Sequence, residues 1–198
     1  MFTRPADTER VKSATATLNK TYYTSPASLN ALLQVVCKHP KPELRQLGAV
    51  EARKLVGKHW AKLPADQKSS LRSQICEYTL AEESTLARHS AARVIAAIAT
   101  QDFEDAEWGE LPSFLQQAAT SSQVRHREVG TYIIWTTLES VGDAFPGKKA
   151  DLYKLFSSTL QDPESAEVRV NTMLALRYVY HCRRLSLGVQ VEIAANSS

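Results

Sequence analysis

Apolar side chains recur along this sequence at i, i+3, i+4 and i+7, the spacing that gathers them on one face of a helix. Four segments share the template: Leu29-Leu32-Leu33-Val36, Leu71-Ile75-Tyr78, Leu111-Phe114-Leu115-Ala118 and Leu152-Leu155-Phe156-Thr159. Their first residues stand 42, 40 and 41 positions apart (29 to 71, 71 to 111, 111 to 152). Gln74 is a polar intruder where the template asks for an apolar residue. A second set of amphipathic runs is interleaved with the first, opening at Leu44-Arg45, Leu86-Ala87, Val124-Arg125 and Val168-Arg169. Its steps are 42, 38 and 44 residues (44 to 86, 86 to 124, 124 to 168). Two registers agreeing on one period predict an all-α HEAT- or armadillo-type solenoid of stacked helix pairs.

Turn and cap residues sharpen the element boundaries. Ser25-Pro26 offers an N-cap and a proline for the first helical turn, and Pro42, Pro64, Pro112 and Pro163 sit at or near helix starts. Gly142, Pro146 and Gly147 mark a turn. The spacing predicts helices near 7–22, 26–38, 43–60, 65–81, 84–100, 106–120, 123–142, 148–161 and 165–182. Taken in order, these make four pairs and the first helix of a fifth over residues 1–184, cut off rather than capped, with an irregular tail at 185–198. In the 43–60 helix, Leu44, Leu47, Ala52, Leu55 and Val56 form the expected core face, and Gly48 and Ala49 permit close packing.

Composition narrows the function classes. Of 198 residues, 43% are hydrophobic and 23% charged, the balance of a folded chain that buries apolar faces. The 24 basic and 21 acidic residues are interspersed, and the resulting charge of +3 comes with no basic stripe, which argues against direct nucleic-acid binding. Cys37, Cys76 and Cys182 are odd in number and far apart, which fits a reducing compartment. No apolar run approaches the ~20 residues a membrane span needs. Metal-ligand spacings, phosphate-binding glycine loops and nucleophile–base arrangements are all missing from the sequence, so neither cofactor nor catalysis is expected.

The stretch Glu43-Leu44-Arg45-Gln46-Leu47-Gly48-Ala49-Val50-Glu51-Ala52-Arg53-Lys54-Leu55-Val56-Gly57-Lys58-His59-Trp60, followed by Leu63-Pro64, resembles the signature of the karyopherin-β (importin-β) N-terminal region. Arg45, Gln46, Lys54 and Trp60 carry the motif, the N-terminal-type region spans about 7–81, and the likeness extends over about 7–180. Within the family it is most similar to importin-4-like fungal receptors that carry ribosomal proteins and core histones. The resemblance implies a nuclear import receptor moving between cytoplasm, nuclear pore and nucleus, with the small GTPase Ran in its GTP form, Phe-Gly nucleoporins and cargo proteins as partners. It also implies that second helices line the concave, Ran-binding face; paired in chain order these are 26–38, 65–81 and 106–120. Asn30, Gln34, Lys38, Gln74, Glu77 and Gln117 lie off their apolar stripes and become the candidate contacts. Arg45 also has a structural reading, bridging to an acidic residue of the next repeat or capping turn carbonyls, and Trp60 one as a helix-end packing residue.

Two other readings use the same pattern. One is a general HEAT scaffold. The other is a HEAT-like DNA alkylation-repair glycosylase, for which Trp108, Trp135, Tyr132, Asp105 and Arg125 would have to converge on a groove.

Overall fold

The computed structural model describes residues 5–102, 108–141 and 149–195. Its elements are α1 (Pro5–Thr17) with a π-helical extension Leu18–Tyr22, α2 (Pro26–Lys38), and α3 (Pro42–His59) closed by a 3-10 turn at Trp60–Lys62. There follow α4 (Ala65–Ala81), α5 (Thr85–Asp102), α6 (Leu111–Ala119), α7 (Val124–Val141), α8 (Lys149–Thr159) and α9 (Ala166–Ala195). No strand occurs among the described residues.

The predicted helices are present, with shifts that have local causes. The helix expected from 106 begins at Leu111, where Pro112 occupies the first turn and needs no N–H partner. Asp105 and the Gly142–Gly147 turn lie outside the described residues. The tail expected to be irregular from 185 is helical to Ala195. That stretch contains no proline, so each residue can extend the backbone ladder of α9.

Packing also corrects the pairing. Helix α3 packs along α2, α5 on α4, α7 on α6 and α9 on α8, so the hairpins are offset by one helix from the order expected above. The link His39–Lys41, with prolines at 40 and 42, folds α3 back onto α2. Gly48 makes that approach possible: a Cβ there would sit 3.2 Å from Val35 Cγ1.

The two layers are unlike. Helices α3, α5, α7 and α9 pack closely against one another in series, whereas α2, α4, α6 and α8 touch their layer neighbours sparingly. A stack that is tight in one layer and splayed in the other bends toward the tight one. Small residues contribute to the close approach of α3 and α5, where Gly48, Ala49, Ala52, Ala87, Ala91, Ala92, Ala96 and Ala99 are buried. The inner wall is therefore built by α3, α5, α7 and α9.

The core follows the sequence template in the outer layer and departs from it in α3. Leu55 and Val56 are buried as expected, but Leu44 and Leu47 are 40% and 55% exposed. No neighbouring helix covers them fully, and α1 makes little contact with the array. Val11, Leu18 and Tyr22 of the first helical segment are exposed as well.

Candidate partner-binding site

Each helix of the inner layer carries an arginine near its start that ties its own turn together. Arg45 Nη1 donates to the carbonyls of His39 and Pro40 at 2.9 and 3.0 Å, and its Nε and Nη2 donate to the Glu82 carboxylate at 2.7 and 2.8 Å. The Tyr78 hydroxyl joins the same carboxylate. Arg127 repeats the arrangement on the carbonyls of Ser121 and Ser122 and on Asp162, reached at 2.6 Å. Arg88 donates to the carbonyls of Glu82 and Glu83, and Arg169 to that of Asp162. The ladder arginines thus stand 43, 39 and 42 residues apart (45 to 88, 88 to 127, 127 to 169).

This register differs from the sequence echo, which placed Ala87 and Arg125 opposite Arg45. Both structural roles expected of Arg45, the turn cap and the inter-repeat bridge, are present together. Burial works against the charge on Glu82, but hydrogen bonds from Arg45, Tyr78 and the Ser84 amide outweigh it and hold the carboxyl at about 2. For Asp162 the Arg127 bond dominates and again holds it at about 2. The sequence signal was there to find: an arginine six or seven residues beyond an acid that closes the preceding helix, as in Glu82–Arg88 and Asp162–Arg169.

Trp60 is a packing residue. It is buried, and its Nε1 donates to Asp102 Oδ1 at 2.6 Å; the same carboxylate accepts from Arg72 at 2.9 Å. Arg72 in turn lies over Trp60 and over Trp108, 5.7 and 5.6 Å from their ring centroids. The other motif residues divide. Gln46 is half-buried, whereas Lys54 is exposed and pairs with Glu51 at 2.6 Å.

The six candidate contacts lie on α2, α4 and α6, which the packing places in the outer layer. Pairing the helices in chain order had put them on the inner one. Gln74, the polar intruder, finds its partners within the chain: it accepts from Gln34 at 3.2 Å and donates to Ser70 at 2.8 Å, bridging α2 to α4. Asn30 is half-buried, and Lys38, Glu77 and Gln117 are exposed.

Besides a concavity of about 360 Å³ around Arg45, Tyr78 and Glu82, two larger ones occur among the described residues. The inner wall holds an open groove of about 530 Å³ across α3, α5 and α7, bordered by Arg53, Lys54, Gly57, Arg93, Gln101 and Glu139. Arg53 has no ion-pair partner among the described residues, and Arg93 donates to the Tyr132 hydroxyl at 2.8 Å. The outer face has a cleft of about 560 Å³ between α4 and α6, lined by Cys76, Leu80, Trp108 and Phe114 with Arg72 and Glu77 at its polar edge. Sequence reasoning placed neither one.

Of the residues a glycosylase would need, Tyr132 and Trp135 pack together and Trp108 lies elsewhere, while Asp105 is outside the described residues. Tyr132 is buried on α7, stacked on His89 at 4.1 Å and edge-on to Trp135, while Trp108 lines the outer cleft. Among the described residues no cluster of His, Cys, Asp and Glu is arranged to hold a metal, and no helix is long and apolar enough to cross a membrane. Cys76 is buried and its thiol is pushed up to about 12; burial likewise raises Cys37 to about 11. Neither is poised as a nucleophile.

Stacked helix pairs with an open inner groove and an outer cleft of mixed polarity define a helical-repeat interaction protein. Residues 14–81 match the family model described as Importin-beta N-terminal domain, and residues 83–182 match one described as IPO5-like, TPR repeats. The chain is 37% identical over 135 residues to a probable importin subunit beta-4 of Schizosaccharomyces pombe, covering 68% of this chain and 13% of that protein. It is 29% identical over 159 residues to mouse importin-4, covering 79% and 14%, and 30% identical over 154 residues to human importin-4, covering 78% and 14%. The chain belongs to the importin-β (karyopherin-β) family. It spans about one seventh of the length of these relatives, 13–14%.

Proposed function

We propose that this chain forms Ran-gripping repeats of a nuclear import receptor, with GTP-bound Ran held on the inner wall of α3, α5 and α7. The observation that carries this reading is the inner groove, where the close-packed layer of an importin-β family chain presents Arg53, without an ion-pair partner among the described residues, beside Lys54 and Arg93. An open concavity that sets Arg53, Lys54 and Arg93 against Glu139 suits a protein surface that is mainly acidic. The grip falls on these residues rather than on Asn30, Gln34, Lys38, Gln74, Glu77 and Gln117. The outer α4–α6 cleft, with Trp108, Phe114 and Leu80, suits the phenylalanines of Phe-Gly nucleoporins. Cargo proteins, ribosomal proteins or histones, would be carried between cytoplasm and nucleus by the longer array to which such repeats belong.

Binding of the chain to Ran loaded with GTP and with GDP tests the proposal. We expect clear preference for the GTP form, lost in Arg53→Glu/Arg93→Glu and kept in Glu77→Lys. Equal binding to both forms, or none, favours a general scaffold. Loss with Glu77→Lys alone moves the grip to the outer layer.

A further inference from the structure

We propose that Ser121 is a phosphate-acceptor site, whose phosphate completes the arginine ladder at the joint between the α4–α5 and α6–α7 pairs. Three residues occupy one structural position in successive turns: Glu82, Ser121 and Asp162. The carbonyl of each accepts from the ladder arginine that follows it, namely Arg88, Arg127 and Arg169. A side-chain oxygen of each accepts from the amide two residues on, at 2.8 Å for Ser84, 3.2 Å for Gln123 and 3.0 Å for Glu164. Glu82 and Asp162 do one thing more. Their carboxylates take the guanidinium of the preceding pair, Arg45 and Arg127 respectively. Ser121 keeps the cap and carries no charge for Arg88.

Arg88 shows the consequence. It is 4% exposed, and it reaches only the neutral oxygens of Glu82, Glu83 and Thr85 within its own turn. Its Nε has no hydrogen-bond partner, and among the described residues no carboxylate forms an ion pair with it. A buried cation without a carboxylate is the arrangement proteins otherwise avoid. By its place in the ladder, Arg88 stands to Ser121 as Arg45 stands to Glu82 and Arg127 to Asp162.

The acceptor is reachable and its surroundings favour a dianion. Ser121 is half-exposed and flanked by exposed Thr120 and Ser122. Its Oγ lies 3.4 Å from His126 Nδ1, and Arg127 Nη1 donates to its carbonyl. Arg88 and Arg125 thus face Glu128 on α7, while Glu82 is taken by Arg45, Arg127 is paired with Asp162 and Glu164, and burial favours the neutral form of His126. The amides at the start of α7 add to the attraction. In the transfer, Ser121 Oγ attacks the γ-phosphorus of ATP held by a serine kinase. The Oγ–P bond forms as the bond to ADP breaks, and the hydroxyl proton passes to the kinase's base. The joint between the second and third pairs then acquires the ionic tie its neighbours have, which stiffens the curve of the inner wall.

Two measurements on the full chain test this. With phosphoserine genetically encoded at 121, ³¹P titration should give a second pKa about one unit below the ordinary value of about 6, and Arg88→Gln should restore it. Melting should rise by ~2–4 °C, and Ser121→Asp should raise it in the same direction without depending on an Arg88 variant that folds poorly. A phosphate titrating near 6 with melting unchanged or lowered overturns the proposal. Incubated with eukaryotic cell extract and γ-labelled ATP, wild type and Ser122→Ala should take up label that Ser121→Ala does not. No label, or label lost only in Ser122→Ala, overturns it equally.

Discussion

The inner and outer layers share one period and one amphipathic logic, yet they solve different packing problems. The outer helices bury large side chains, such as Leu33 on α2, Ile75 on α4 and Leu115 on α6, each of which keeps neighbouring axes apart. The inner helices bury large residues too, such as Leu55, Ile95 and Ile133, but α3 and α5 set small ones such as Ala49, Ala52, Ala91 and Ala92 among them, and arginine–carboxylate bridges cross two of the joints. The close approach of α3 and α5 therefore depends on small buried residues, which the apolar pattern alone does not report. The wall that bends inward is the one available to grip a partner.

The comparison can be broken most severely at the Trp60–Asp102–Arg72 cluster, which connects the end of α3 and the end of α5 to the α4 helix. Asp102→Ala leaves the buried Trp60 N–H and the Arg72 cation without their shared acceptor, and we expect a loss of ~3–5 kcal/mol in denaturant unfolding. In the outer layer, Leu115→Ala should cost ~2–5 kcal/mol by opening a cavity. The inner layer should respond to the opposite change. Ala92 is fully buried, and Ala92→Leu should cost ~1–3 kcal/mol by forcing α5 away from its neighbours. A variant that melts like wild type would show that the inner layer has room to spare. Gly130 gives a finer test: a Cβ there would lie 2.6 Å from the Ala119 backbone nitrogen, so Gly130→Ala must displace α6 or α7 and should cost ~1–2 kcal/mol.

Acid should loosen the bridged layer first. Glu82 and Asp162 are held at about 2, below the values of 4.5 and 3.8 that they start from. Carboxylates depressed on folding contribute stability that is complete above the unfolded values and is lost as pH falls from about 4 toward about 2. Melting followed over that range should drop steeply, and Glu82→Gln/Asp162→Asn should flatten the profile while lowering stability at neutral pH. The smallest effect is expected at the groove, where Arg53→Ala should change stability by no more than about 0.5 kcal/mol. Its consequence should appear in partner binding alone.

Much of this was legible along the chain. The stripes beginning at Leu29, Leu71, Leu111 and Leu152 gave the outer helices and their period, because a helix that buries one face must repeat its apolar residues at helical spacing. Arg45 could be assigned to a turn or bridge, and Trp60 to packing, from chemistry and position. The hairpin pairing was not legible, because every helix has two chain neighbours and both links are short. That ambiguity decided which helices were expected to form the inner wall, and with them the choice of Asn30, Gln34, Lys38, Gln74, Glu77 and Gln117. Leu44 and Leu47 misled for a related reason: periodicity reports an apolar face and is silent about whether a neighbour covers it.

By itself, then, the sequence determined that this protein is a stack of amphipathic helices repeating at about forty residues, since local periodicity and caps act within one helix and need no partner. Only the tertiary structure decided which helix folds back on which, which layer is inner, and that Arg88 lacks the carboxylate its ladder neighbours have. Those are relations between residues about forty positions apart, fixed by side-chain volume and by where charges meet across a joint.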